Sequence, residues 1–166
     1  MAEVFRLPEK GALSLLTEQD TMALAATLAE VALPGDVITL RGTLGIGKTT
    51  FARGFIQQVS KASEEVVSPT FTLVQTYDTR KGTIWHFDLY RLDSPNDVLE
   101  LGLEDAQASG ISLIEWPERL GPHMPKAHLE IALSSAPGQA ARLIWLSGTL
   151  NWRERALEVV SRAYQS

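Results

Sequence analysis

The sequence contains no cysteine, which excludes a disulfide-stapled scaffold and any metal site built from thiolates. It also lacks a long apolar run, because Asp36, Arg41 and Lys48 interrupt its most apolar region and leave no segment long enough to span a bilayer. Residues 1–6 carry neither the basic nor the apolar region of a signal peptide. From these absences we expect a cytoplasmic protein with no membrane association.

Basic residues are scarce and dispersed. The chain has 15 Lys and Arg against 20 Asp and Glu, a net charge of −5, and its longest basic run is the pair Arg80-Lys81. Broad electrostatic binding of nucleic acid requires clustered Lys and Arg. If this protein acts on nucleic acid, we therefore expect another chain to hold the nucleic acid. The three histidines, His86, His123 and His128, do not have the close spacing of a zinc site.

Residues 42–49 read Gly-Thr-Leu-Gly-Ile-Gly-Lys-Thr and match the phosphate-binding loop G-x-x-x-x-G-K-[ST] without a mismatch. The context fits as well, because a β-branched strand pattern at residues 36–40 precedes the loop and a helical pattern beginning near Lys48 follows it. A helix N-terminus beneath the loop adds a positive dipole at the phosphates. Lys48 is expected to bridge the β- and γ-phosphates, and the Thr49 hydroxyl to bind Mg²⁺. The residues expected to contact the nucleotide are Gly45, Ile46, Gly47, Lys48, Thr49 and Thr50.

The remaining patterns predict an α/β fold within a single domain over residues 1–166. Strands are expected at residues 11–16, 36–40, 71–77, 83–90, 111–116, 129–133 and 143–146. Helices are expected after the N-cap Thr17, from Lys48, after Ser94-Pro95, and after the N-cap Asn151. Residues 78–82 and the segment around Pro137-Gly138 are expected to close two antiparallel hairpins. This order predicts a three-layer, P-loop NTPase-like domain, in which a mixed central sheet is flanked by helices.

A phosphate loop also requires an acidic partner for the metal, and two residues qualify. Glu115 ends the apolar strand Ile111-Ser-Leu-Ile-Glu115, although a surface glutamate at a strand end is the simpler alternative. Asp88 lies on the same strand face as His86 by the alternation of a strand, and a turn or an ion pair with Arg91 would equally explain it. Residues 68–70, Ser-Pro-Thr, suit either a switch segment near the γ-phosphate or a simple turn.

Taken together, these segments resemble the TsaE (YjeE) family of bacterial ATPases. The resemblance is carried by residues 40–54, by Ser-Pro-Thr-Phe-Thr-Leu at 68–73, by His-Phe-Asp-Leu-Tyr-Arg-Leu at 86–92, by Leu101-Gly102, and by Leu-Ile-Glu-Trp-Pro at 113–117. These segments occur in the family's order and extend over roughly residues 17–135. The phosphate loop alone is shared by many families, whereas its combination with the segments at residues 86–92 and 113–117 is highly specific.

The resemblance implies a Mg²⁺-dependent ATPase that is weak alone and acts with the proteins TsaB and TsaD in making threonylcarbamoyladenosine in tRNA. ATP hydrolysis would support repeated turnover on TsaD, and tRNA would be contacted only through the complex. By match to the family motifs, Thr49 and Glu115 would hold Mg²⁺, Lys48, Asp88 and Glu115 would be catalytic, and residues 68–70 would form a switch-like loop.

Two positions depart from the family pattern, and two other functions remain open. Thr43 stands where aspartate is usual, which leaves the loop motif intact but puts in doubt any role of that side chain, and Ile46 replaces the usual alanine. The main alternative is a small-molecule P-loop kinase, although no long arginine-rich lid segment is evident. The other is an interaction protein in which nucleotide hydrolysis is incidental.

Overall fold

The computed structural model describes residues 4–61 and 65–165 of the chain. Within them, eight strands form one sheet in the order β1-β8-β7-β3-β6-β5-β4, and β2 pairs with β8 beside β1. The strands are β1 Val4–Leu7, β2 Leu13–Leu15, β3 Val37–Arg41, β4 Val74–Thr79, β5 Gly82–Asp88, β6 Ile111–Glu115, β7 Leu129–Ser135 and β8 Arg142–Thr149. The α-helices are α1 Glu18–Val31, α2 Lys48–Val59, α3 Leu103–Ser109 and α4 Arg153–Gln165. Short 3₁₀ segments cover Pro95–Leu101, Pro117–His123 and Leu150–Trp152.

The sheet is mixed, as predicted. Its centre is parallel, because β3 pairs in parallel with both β6 and β7, and β5 pairs in parallel with β6. The β4–β5 and β7–β8 pairs are antiparallel hairpins, and β1 and β2 add antiparallel strands at the β8 edge. The carboxyl ends of β3, β5 and β6 therefore meet at one edge of the sheet, where ligands of such sheets bind.

Helical segments cover both faces of the sheet and bury two apolar cores. The larger core joins α1, α2 and α4 to one face, with Leu28, Phe51, Phe55 and Val159 among its fully buried or almost fully buried members. The smaller core joins α3 and the first two 3₁₀ segments to the opposite face around Phe87. This is the predicted three-layer α/β architecture.

Helices α1 and α2 lie unusually close to each other. The N-terminus of α1 is fixed by a capping box, in which Thr17 and Asp20 exchange side-chain and backbone hydrogen bonds, so the predicted cap at Thr17 is confirmed. On α2, a Cβ atom placed on Gly54 would come within 2.6 Å of the Cα of Met22. Glycine at this position therefore permits the helix that starts at the phosphate loop to pack directly against α1.

The first predicted hairpin differs in detail from the structure. Residues 78, 79 and 82 belong to the strands, and a two-residue turn at Arg80-Lys81 replaces the predicted five-residue connection. The strand predicted at residues 71–77 begins only at Val74, because Leu73 has a φ of 68° and its N–H donates to the Pro69 carbonyl in a turn. The partner strand ends at Asp88, two residues earlier than predicted.

Both ends of the described chain also correct the prediction. Strand β1 was not predicted. It is a four-residue edge strand in which only Phe5 and Leu7 are buried, and so short an alternation is not distinctive in a sequence. The strand predicted at residues 11–16 is limited to β2. Asn151 does not cap the last helix, since it lies inside a 3₁₀ turn and its side chain accepts a hydrogen bond from Thr149.

Among the described residues, no helix is both long enough and apolar enough to cross a membrane.

Candidate nucleotide-binding site

The predicted site residues come together at the carboxyl edge of the sheet. The phosphate loop connects the end of β3 to the start of α2. Glu115, the last residue of β6, is in register with Leu40 near the end of β3. On its other side, Glu115 is in register with Asp88, the last residue of β5. Gly47 precedes the helix with a φ of 117°, a left-handed conformation that favours glycine and turns the chain into α2. Parallel strand order therefore places the loop and both carboxylates side by side.

A cavity of about 220 Å³ lies between the loop and the carboxylates. Residues of the phosphate loop, of the Ser68–Thr70 segment and at or just after the strand ends line it: Leu44, Gly45, Gly47, Lys48, Thr49, Thr50, Ser68, Thr70, Asp88, Tyr90, Glu115 and Trp116. Among these described lining residues, Lys48 is the only cation. Of the six residues predicted to bind the nucleotide, five line this cavity, and Ile46 does not.

The Lys48 ammonium is satisfied by protein groups. It donates to the carbonyls of Gly42 at 2.6 Å and Thr43 at 2.8 Å, and its nitrogen lies 4.0 Å from the centroid of the Trp116 ring. Burial lowers the pKa of Lys48 below its ordinary value, while Glu115 and two further carboxylates act in the opposite direction. A bound polyphosphate would give the desolvated Lys48 ammonium a negatively charged partner. Lys48 would then have to exchange its present contacts for phosphate oxygens.

Thr49 and Glu115 form a pair of hard oxygen ligands. The Thr49 hydroxyl lies 3.0 Å and 3.2 Å from the two Glu115 carboxylate oxygens, and Glu115 is only 2% exposed. Glu115 is therefore not the surface glutamate of the simpler alternative. Mg²⁺ takes a few carboxylate or hydroxyl oxygens from a protein and completes its shell with water and substrate phosphates. These two side chains and the adjoining cavity fit such an ion.

Asp88 faces the same cavity and contacts the Ser68–Thr70 segment. Its Oδ2 atom lies 3.4 Å from the Ser68 hydroxyl and 3.3 Å from the Thr70 hydroxyl, and its Oδ1 atom accepts a hydrogen bond from the Tyr90 backbone. No ion pair joins Asp88 to Arg91 among the described residues; Arg91 instead stacks 4.9 Å from the centroid of Phe71. The segment is thus attached directly to a site carboxylate.

A second cavity, of about 260 Å³, adjoins the other side of the phosphate loop. Its lining includes Leu15–Glu18, Thr21, Gly45–Gly47, Thr50, Ala140 and Arg142. Arg142 donates from Nε to the Ile46 carbonyl at 2.8 Å and so supports the loop from β8. Arg142 was not predicted from the sequence, because it lies 96 residues from Ile46 and belongs to no recognisable motif. Thr17 was predicted only as a helix N-cap, and Thr21 was not predicted to line a site.

The chain is similar to proteins of one family. The family model for "Threonylcarbamoyl adenosine biosynthesis protein TsaE" matches residues 15–144. A "tRNA threonylcarbamoyladenosine biosynthesis protein TsaE" of Rickettsia felis is 43% identical over 123 residues, 72% of each chain. The protein of the same name from Bacillus subtilis is 35% identical over 145 residues, 87% of this chain and 89% of the relative.

A solved structure agrees with these sequence matches. The crystal structure of Bacillus subtilis YdiB superposes on this chain with a TM-score of 0.75 at 28% sequence identity. The superposition covers 98% of this chain and 97% of the YdiB chain. The resemblance found in the motifs is therefore confirmed over most of the chain, together with the fold that it implies. This chain belongs to the TsaE family.

Proposed function

We propose that this chain is a Mg²⁺-dependent ATPase subunit of the tRNA threonylcarbamoyladenosine machinery and supports turnover of TsaB and TsaD. One observation carries the proposal: Lys48, Thr49 and Glu115 converge on one cavity at the phosphate loop. The names of the relatives support the pathway, and action on tRNA supports a cytoplasmic location. Residues 1–166 would act as a single ATPase domain.

In this proposal each side chain has one task. Lys48 would neutralise charge on the β- and γ-phosphates, and Thr49 and Glu115 would hold a magnesium ion, which would supply further positive charge to the site. Asp88 orients water at the γ-phosphate, because it faces the cavity with its carboxylate fixed by Ser68, Thr70 and the Tyr90 backbone. These roles supply positioning and charge stabilisation, the main requirements of phosphoryl transfer.

The second cavity would receive the adenosine. In a phosphate loop the chain runs past the β-phosphate towards the helix, and Thr50 lines both cavities. A nucleotide with its terminal phosphates beside Lys48 can therefore extend past Thr50 towards Thr17 and Arg142. Photolabelling with 8-azido-ATP and peptide mapping tests this placement. We expect label on residues 15–21 or 140–142; label confined to the Tyr90–Trp116 side of the loop would contradict it.

Replacing Lys48 by alanine should abolish or greatly weaken nucleotide binding and hydrolysis. Loss of one preorganised charge-stabilising donor reduces turnover by about 10²- to 10³-fold. Calorimetry with ATP and a phosphate-release assay measure the two effects, and Lys126→Ala removes an exposed lysine as the control. Unchanged affinity and turnover in Lys48→Ala would contradict the phosphate-loop assignment. Phosphate released to water, without a phosphorylated metabolite, separates hydrolysis from the kinase alternative.

Glu115→Gln preserves volume and removes the charge, so the protein should fold while its magnesium requirement rises. We expect the Mg²⁺ concentration for half-maximal hydrolysis to increase by about tenfold or more. Glu118→Gln is the matched control, because Glu118 also lies near Lys48 but pairs with Arg41 and does not line the cavity. If Glu115→Gln has the wild-type magnesium dependence, Asp88 alone supplies the carboxylate.

Catalysis should be completed by a partner. Lys48 is the only cation among the described residues lining the site, and an arginine finger supplied in trans is worth roughly 10³- to 10⁵-fold in rate. Large apolar side chains also lie exposed near the site: Leu44 is 71% and Phe71 is 84% exposed. We therefore expect slow single-turnover hydrolysis and little tRNA affinity for the isolated chain, with marked stimulation by TsaB–TsaD.

The experiment compares single-turnover hydrolysis with and without TsaB, TsaD and tRNA, together with tRNA gel shifts at physiological salt. Phe71→Ala should reduce the stimulation and leave nucleotide affinity unchanged. Tyr164→Ala removes another exposed aromatic side chain, which is 64% exposed on α4, and should have no effect. Fast hydrolysis without partners, or tight tRNA binding by this chain alone, would overturn the accessory-subunit proposal.

A further inference from the structure

We propose that His86 is a positioning residue for Glu115, which holds the carboxylate in the orientation that the metal ion requires. The proposal rests on the magnesium-nucleotide function proposed above. It assigns a task to a buried imidazole that neither packing nor that function has so far explained.

His86 connects the core of the sheet to the metal side of the site. Its side chain is fully buried on β5, and its Nε2 atom lies 2.7 Å from Oε2 of Glu115. Glu115 in turn accepts from the Thr49 hydroxyl, with the shorter distance, 3.0 Å, to its other oxygen, Oε1. The chain His86–Glu115–Thr49 thus links β5, β6 and α2 through one carboxylate.

The surroundings of the ring determine which nitrogen carries the proton. Nδ1 of His86 is buried and has no hydrogen-bond partner within residues 4–61 and 65–165. A proton on Nδ1 would be a buried donor without an acceptor, and it would leave the Nε2 lone pair facing a carboxylate oxygen. With the proton on Nε2, the ring donates to Glu115. The geometry therefore selects the tautomer that holds the carboxylate.

This hydrogen bond restricts the rotation of Glu115. Because Oε2 is bound to a ring fixed inside the sheet, Oε1 is directed towards Thr49 at the start of α2. A carboxylate that is 2% exposed has little water to replace a lost partner. Without the imidazole, Glu115 would lose the constraint on its orientation. Partners of this kind, beyond the metal ligands themselves, commonly contribute 10- to 100-fold in metal affinity.

Three substitutions separate positioning from packing. His86→Gln carries an amide nitrogen at nearly the position of Nε2 and can still donate to Glu115. His86→Asn places its amide nitrogen near the position of Nδ1, and its side chain is too short to reach Glu115. His86→Leu has no donor. Ser112→Ala is the control, because the Ser112 hydroxyl is likewise buried without a partner among the described residues but lies on the opposite face of neighbouring β6.

The measurement is ADP affinity by calorimetry with Mg²⁺ and with EDTA, which isolates the contribution of the metal without requiring turnover. We expect His86→Leu and His86→Asn to reduce the magnesium-dependent gain in ADP affinity by about 10- to 100-fold. Their ADP affinity in EDTA should remain that of the wild type. His86→Gln and Ser112→Ala should retain most of the gain. Mn²⁺ titration followed by electron paramagnetic resonance gives a second readout in the presence of ADP.

The possible failures are distinct. A wild-type magnesium gain in both His86→Leu and His86→Asn would show that His86 only fills space and would overturn the inference. Equal losses in all three His86 variants, in EDTA as well as in Mg²⁺, would indicate structural damage and would also overturn it. If the wild-type protein itself gains no ADP affinity from Mg²⁺, the proposed function fails rather than the role of His86.

Discussion

Two opposite charges are held almost out of water at the carboxyl edge of the sheet, and the rest of the site is arranged around them. Lys48 is 4% and Glu115 is 2% exposed. A buried charge is strongly unfavourable unless it is paired or hydrogen-bonded. The loop carbonyls and the Trp116 ring satisfy Lys48, while Thr49 and His86 satisfy Glu115. Each charge is thereby maintained where a phosphate or a metal ion can use it.

The parallel centre of the sheet makes this arrangement possible. Because β3, β5 and β6 run in the same direction, the phosphate loop, Asp88 and Glu115 emerge at one edge although they are far apart in the chain. The hydrogen-bonded sheet fixes the spacing of these groups, and the packing of α1, α2 and α4 in the larger core holds the sheet in place. The Ser68 and Thr70 hydroxyls, in a segment without regular secondary structure, also contact Asp88. A loop segment is thus hydrogen-bonded to a carboxylate that the sheet holds in place.

Local patterns predicted most of the frame and the central residues of the site. The phosphate loop, its strand and its helix could be predicted because their signal lies within about two dozen consecutive residues. Glu115 could be predicted because an apolar run ends in a carboxylate. In contrast, the His86–Glu115 contact joins residues 29 positions apart, and Arg142 reaches Ile46 across 96 positions. Such contacts depend on strand order and register, which one sequence does not specify. The hairpin error was of another kind: the positive φ of Leu73 shortened the first strand, and a tight turn let Asp78 and Thr79 pair within the sheet.

The contacts of Lys48 bear on how a partner could control the proposed ATPase activity. Its hydrogen bonds to Gly42 and Thr43 and its position beside Trp116 satisfy the ammonium without a nucleotide. ATP bound as proposed would replace those contacts, so part of its interaction energy would be consumed in rearranging the loop. A partner that favours the rearranged loop would therefore increase ATP affinity, and by thermodynamic reciprocity ATP would increase the affinity for that partner by the same factor. Hydrolysis would then weaken the partner contact as the γ-phosphate is lost. A weak ATPase could in this way regulate the assembly and release of a larger complex.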